Sequence, residues 1–177
     1  METNSTWLLD PAHSEIGFKV KHMMFTNVSG SIQQFEATAI TETESFENAQ
    51  FSFTGKTDSI TTGSVDRDAH LLSPDFFDAS RFPNVSFKST SFLKINEGEY
   101  ELTGDLMLHG ETKPVILSVE FGGLVKDPWG NIKVGFSISG KINRKDWGLN
   151  WNSALEAGGV LVGEEIKLNI ELQFIKQ

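Results

Sequence analysis

The chain has 177 residues and no cysteine, which excludes disulfides, thiolate catalysis and cysteine-ligated metal sites. Positive charge is also scarce: 15 Lys and Arg stand against 24 Asp and Glu, for a net charge of −9. Such a surface repels phosphates, so neither a nucleic-acid partner nor electrostatic attachment to anionic lipid is expected. No stretch approaches the roughly 20 apolar residues needed to cross a membrane as a helix, so no integral membrane segment is expected. The N-terminus, from Met1 to Trp7, lacks the basic start and apolar run of a secretory signal. With Met1 as the natural start the expected compartment is the cytoplasm; with Met1 added to a trimmed chain it is the periplasm.

Catalytic patterns are missing as well. The histidines at 13, 22, 70 and 109 show no His-Glu-x-x-His spacing, so neither a metal nor a cofactor is expected. Each histidine reads most simply as one satisfied by hydrogen bonds at a strand end. His13 and His22 lie on opposite parities and should not share a face. No Gly-x-Ser-x-Gly elbow is present. General acid–base chemistry by a lone histidine, His22 or His70, is the one enzymatic route left open.

What the chain has is phenylalanine, with 14 copies against a single tyrosine. A Phe-rich β-protein either fills its core or lines an apolar cavity, and periodicity does not choose between the two. The chain alternates apolar and polar residues over Ile16–Lys21, Gln50–Thr54, Val85–Lys88, Glu99–Leu108, Lys133–Ile142 and Ile166–Phe174. Period two with one wet face means antiparallel sheet. Val115 to Val125 is apolar on both parities, so part of it is expected to be covered on both sides. Turn signals at Asn96–Glu99, His109–Glu111 and Asp127–Asn131 separate the runs. About eight strands at meander spacing suit an all-β, closed up-and-down barrel forming a single domain over residues 1–177, with a sandwich as the alternative.

Between two strand-like runs lies Arg67 to Phe87, too apolar for a solvated loop and too charged for a strand. It reads as a short cap, with a helix from Ser64 to Leu71 capped by Ser64 and a further turn beginning at Ser73 and Pro74. Arg67, Asp68 and His70 could bind an anionic head group or form an ion-pair knot that pins the cap to the rim. The knot is preferred, since paired charges are the usual way buried charges are tolerated. Arg144 with Lys145 and Asp146, and Lys113 before Pro114, admit the same two readings.

Four segments resemble the YceI-like, polyisoprenoid-binding family. They are Trp7–Ser14 with Phe18–His22; Asp66–Leu71 through Pro74–Asp78 to Phe82–Pro83; Gly104–Pro114; and Asp127–Gly130 with Ile142–Gly148. The resemblance departs at Met107, Trp147 and Leu72, near the positions where it would set ligand length and head group. It implies a lipocalin-like barrel whose apolar bore holds a polyprenyl chain or another long-chain lipid, and it admits a homodimer. On that reading the ligand-binding set is Phe18, Val20, His22, Phe51, Phe53, Phe76, Phe77, Leu106, Leu108, Phe136, Ile138 and Ile170. Arg67, Asp68, His70, Lys113 and Arg144 are the head-group or structural polar set. The expected role is binding, with transport or storage of the lipid. The rivals are an enzyme acting on that lipid, and a filled barrel that works through its surface.

Overall fold

The computed structural model describes residues 4–42, 45–155 and 159–177. Its strands are β1 (Ser5–Leu9), β2 (Glu15–His22), β3 (Thr26–Ile32), β4 (Phe35–Thr41), β5 (Gln50–Lys56), β6 (Ile60–Thr61), β7 (Asn84–Asn96), β8 (Glu99–Leu108), β9 (Glu111–Lys126), β10 (Ile132–Asn143) and β11 (Val162–Lys176). One α-helix, α1 (Val65–Leu72), lies between β6 and β7.

Every pairing is antiparallel, and three pairs of short strands act as single bent ones. β1 and β2 run in series along one edge of β11, separated by a 3-10 turn at Pro11–His13. β3 pairs with β2 and β6, and β4 with β1 and β5, so β3–β4 and β5–β6 are also continuous walls. The eleven segments therefore make an eight-stranded up-and-down barrel, closed where β11 meets β1 through Trp7↔Lys176, Leu8↔Ile175 and Leu9↔Phe174. Closure satisfies the edge groups that an open sheet would expose. The one interruption among the described residues is along Thr26–Gly30 of β3, because β6 pairs only with Ser31 and Ile32. The helical cap follows β6 at this end.

The expected strands and turns are present, and α1 begins one residue after Ser64, whose hydroxyl accepts the Arg67 N–H. The further turn expected from Ser73 and Pro74 is present, over residues 74–77. The expectation that part of Val115 to Val125 would be covered on both sides is corrected. β9 alternates, with Val115, Leu117 and Val119 buried and Ile116 and Val125 exposed. Apolar composition on both parities did not mean two covered faces, because nothing among the described residues packs on the outer face there.

One half of the barrel is filled by rings. Trp7, Phe46, Phe51, Phe92, Tyr100, Phe136 and Phe174 are buried, with Phe121 packed against them. Phe46 sits at the centre, with ring centroids 4.9 Å from Trp7, 5.6 Å from Phe121 and 5.3 Å from Phe136. It comes from the loop between β4 and β5 and holds a φ of 63°, a left-handed backbone that costs a bulky residue energy and is held here by its packing. Phe92 stacks on Tyr100 at 4.5 Å. The Tyr100 hydroxyl donates to the Ser45 carbonyl at 2.7 Å, and burial raises its pKa. Trp7 Nε1 donates to Thr41 Oγ1 at 3.0 Å. The polar tips of the buried aromatics are thus satisfied.

Arg144 belongs to the opposite end. It is 2% exposed and forms neither an ion-pair knot nor a head-group site. Its Nη1 donates to the carbonyls of Leu149 (2.5 Å) and Trp151 (2.9 Å), its Nε to Gly163 (2.8 Å) and its Nη2 to Val162 (3.3 Å). Burial lowers its pKa while Glu164 opposes this, and a guanidinium stays charged regardless. Its planar fork gathers the chain after the 3-10 turn Arg144–Trp147 against the start of β11.

Two substitutions test this division. Phe136→Ala should destabilise the fold by about 3–5 kcal/mol, as an aromatic cavity does. Arg144→Met, which strands buried carbonyls, should cost a similar amount, roughly 3–5 kcal/mol. Both are read from denaturant unfolding, and a loss below about 1 kcal/mol for either would contradict the role given to it.

Candidate functional site: an apolar bore on an aromatic floor

Above the ring cluster the barrel is hollow. The bore is a narrow cavity of about 150 Å³. Phe51 and Phe174 lie where the floor meets the bore. The walls carry Ala37 and Phe53, Val85 and Phe87, Leu102, Leu106 and Leu108, Val115 and Leu117, Ile138 and Ile142, and Ile166, Leu168, Ile170 and Leu172. Ile16, Gly17, Phe18, Ile32 and Ile60 complete them, and Phe77 is the cap's contribution. Among the described residues none that lines the bore is titratable.

The bore stays open because of what faces it. The inward glycines Gly30 and Gly104 lie beneath the rings of Phe18 and Phe87. A Cβ on either would stand 2.3 Å or 2.4 Å from the ring above it. Each ring therefore lies flat on the wall instead of crossing the lumen. On the floor no glycine among the described residues offers this recess, and the rings meet one another.

Of the expected ligand-binding residues, the fold brings Phe18, Phe51, Phe53, Phe77, Leu106, Leu108, Ile138 and Ile170 to the bore. It excludes four. Phe136 is part of the floor, in edge contact with Phe51 at 5.5 Å. Phe76 belongs to the cap, where it packs on His70 (5.1 Å) and Trp151 (5.2 Å). Val20 and His22 continue the inward line of β2 but lie past the bore, paired with Val28 and Thr26 of β3. Alternation assigns a face but not a depth along the axis, which is why Phe136, Val20 and His22 were misplaced; Phe76 lies in the cap, where no strand period applies. Ile166, Leu168 and Leu172 share the parity of Ile170 and were legible by the same rule. Ile32, Ile60 and Ala37 lay in segments without a clear alternating signal.

The polar set stands outside the bore. Asp68 is the anchor of the cap, its carboxylate accepting from Thr61 Oγ1 (2.7 Å), Thr62 N (2.7 Å) and Thr62 Oγ1 (2.6 Å). Arg67 is exposed and donates through Nε to Thr62 Oγ1 and through Nη2 to the Thr62 carbonyl. His70 Nε2 meets Asp75 at 2.8 Å, and its ring stands edge-on to Trp151 at 4.6 Å. A knot exists, but threonines tie it, and the expected buried ion pair is corrected. The reason is burial: Arg67 keeps its charge in water, so no carboxylate is required. Lys113 is exposed on β9 and forms no ion pair among the described residues, so of its two readings the knot is absent. His13 and His109 are hydrogen-bonded, to Asp10 and to the Trp147 carbonyl.

Burial raises the Asp68 pKa, but the hydrogen bonds from Thr62 and Thr61 and the nearby Arg67 outweigh it, leaving the pKa lowered. Burial likewise opposes ionisation of Asp10 and is outweighed by His13 and Lys133. A folded pKa below the unfolded value of about 3.9 contributes stability that is present above that pH and lost as pH falls through the folded value. Melting temperature should therefore hold between neutral pH and about pH 5 and fall steeply below about pH 4. Asp68→Asn should flatten part of that fall. Arg67→Ala should cost about 1 kcal/mol, against roughly 3–5 had it been a buried ion pair, as read from thermal melts of lipid-free protein.

Comparison with known proteins agrees with this geometry. The YceI-like domain profile matches residues 7–174. A UPF0312 protein of Staphylococcus aureus (strain N315) is 36% identical over 173 residues, covering 97% of each chain. A UPF0312 protein of Staphylococcus epidermidis is 37% identical over 166 residues, covering 93% of this chain and 94% of that one. Among solved structures, the Campylobacter jejuni YceI protein superposes with a TM-score of 0.73 at 31% identity, covering 95% of this chain and 96% of its own. BcnA of Burkholderia cenocepacia shares the fold with a TM-score of 0.81 at 19% identity, covering 93% and 98%. So does a polyisoprenoid binding domain from Saccharophagus degradans, with a TM-score of 0.69 at 13% identity, covering 97% and 98%. With its barrel, cap and hairpins matched along nearly their whole length, this chain belongs to the YceI-like family.

Proposed function

We propose that this chain binds a long-chain amphiphilic lipid, with an isoprenoid as the foremost class, and carries or stores it in the bore. The observation that carries the proposal is a narrow lumen, lined by apolar side chains apart from Ser52 and closed below by packed rings. Such a lumen suits a thin chain better than a bulky ring system. A chain inside it is held by burial, about 0.8 kcal/mol for each methylene removed from water. The Saccharophagus domain, named for polyisoprenoid binding, has the same architecture, which supports the reading without identifying the ligand here.

The enzymatic alternative needs a base within about 3 Å of a reacting atom. The bore lining supplies none among the described residues, and His70 is engaged by Asp75. The filled-barrel alternative has one observation in its favour, the ring cluster, but that cluster occupies only the lower half.

Native mass spectrometry of freshly purified protein tests the proposal. A co-purifying lipid is expected for the parent chain. Leu106→Trp and Leu168→Trp, which place an indole in the lumen, should reduce lipid occupancy about tenfold or more while the folded signal survives. Full occupancy in both variants would refute the bore as the site, and a time-dependent change in the mass of the bound lipid would favour an enzyme.

A further inference from the structure

The turn between β2 and β3 has an apolar tip that the barrel does not need. Met23 and Met24 hold φ values of 53° and 64°, the left-handed region for which turns normally select Gly, Asn or Asp. Two methionines are a poor local choice there, so the turn geometry does not account for them. Nor does burial: Phe25 is 85% exposed and Met24 58% exposed. Phe25 is thus among the most exposed large apolar side chains of the fold, in a run from His22 to Asn27 that carries no acidic or basic residue other than His22. The tip is held in place, with Met23 N–H donating to the Leu161 carbonyl at 2.8 Å and Met24 Sδ lying against Gly159.

The tip stands at the capped end. β2 pairs with β11 from Glu15↔Glu171 up to His22↔Val162, and Val162 starts β11 beside the Arg144 loop. The opposite end is closed by rings, so a lipid reaches the bore from this side. Directly behind the tip, Lys19 and Lys21 of β2 and Lys167 of β11 face solvent, with Lys19 opposite Lys167. Among the described residues none of the three pairs with a carboxylate. The nearby Glu164 and Glu165 are taken up by Lys145 (2.7 Å) and Lys141 (3.9 Å). An uncharged apolar tip with unpaired lysines behind it complements a phospholipid surface, apolar beneath and phosphate-bearing above. The net charge of −9 disfavours attraction at long range to an anionic membrane, so insertion rather than electrostatics has to hold the contact.

We infer that the Met23–Met24–Phe25 tip docks the capped end of the barrel onto a zwitterionic phospholipid bilayer, from which the lipid enters the bore. The inference rests on the lipid-carrier reading.

Flotation of the full chain with phosphatidylcholine vesicles tests it, alongside uptake of geranylgeraniol from detergent micelles, which needs no bilayer. Two variants are compared: Phe25→Ser, and the double variant Met23→Asn, Met24→Gly. The second places favoured residues at the left-handed positions, so its melting temperature should match or exceed the parent's. Vesicle association should fall about tenfold in each, with micellar uptake of geranylgeraniol unchanged. Parent protein that does not float with the vesicles overturns the inference, as do variants that float equally well. It is also overturned if sedimentation shows the parent to be a dimer that Phe25→Ser dissociates, since the tip is then covered by a second copy. Loss of vesicle association in the variants, with no geranylgeraniol uptake even by the parent, supports docking and counts against the carrier reading alone.

Discussion

The seam along β11 is the constraint on which the rest depends. One edge of this strand pairs with β10 over Asn143↔Glu165 to Lys133↔Ile175, and the other with β2 and then β1. It joins the first strand of the chain to the last, so loop-closure entropy opposes it more than any hairpin. Its inward residues then serve both halves of the interior: Ile166, Leu168, Ile170 and Leu172 wall the bore, and Phe174 completes the floor. Without closure there is no lumen, only a curved sheet with one greasy face.

Given a closed barrel, side-chain size decides where it is hollow. The same alternation runs through both halves, yet rings meet across one half and lie back against glycines in the other. The filled core and the open cavity, which composition left as rivals, are both present, stacked along one axis. Phe46 makes this possible by entering from a loop, where its left-handed backbone is held by Trp7, Phe121 and Phe136.

The polar side chains mostly hold apolar ones in place. Asp68 clamps the cap that carries Phe77 to the lumen, and Arg144 gathers the segment bearing Leu149 and Trp151 over the same end. Lys133 bridges Asp10 and Asp127 near the floor. None of these groups lines the bore, so the work of the site falls to shape and burial.

The sequence by itself determined the antiparallel meander, the turns, α1 with its Ser64 cap, and which parity faces inward in the strands that alternate clearly. These are local properties of period, propensity and turn chemistry, and each needs only a few neighbouring residues. Tertiary structure decided depth and partnership. Phe136 and Ile138 are two residues apart on one face of β10, yet one is floor and the other wall, because the level at which rings meet is set by strands distant in sequence. Arg67 and Asp68 are adjacent and of opposite charge, yet Thr61 and Thr62 satisfy them, because the end of β6 brings those hydroxyls to the first turn of α1. Phe46 gave no periodic signal at all. Alternation says which way a side chain points, whereas the stagger of a closed barrel says what it meets there.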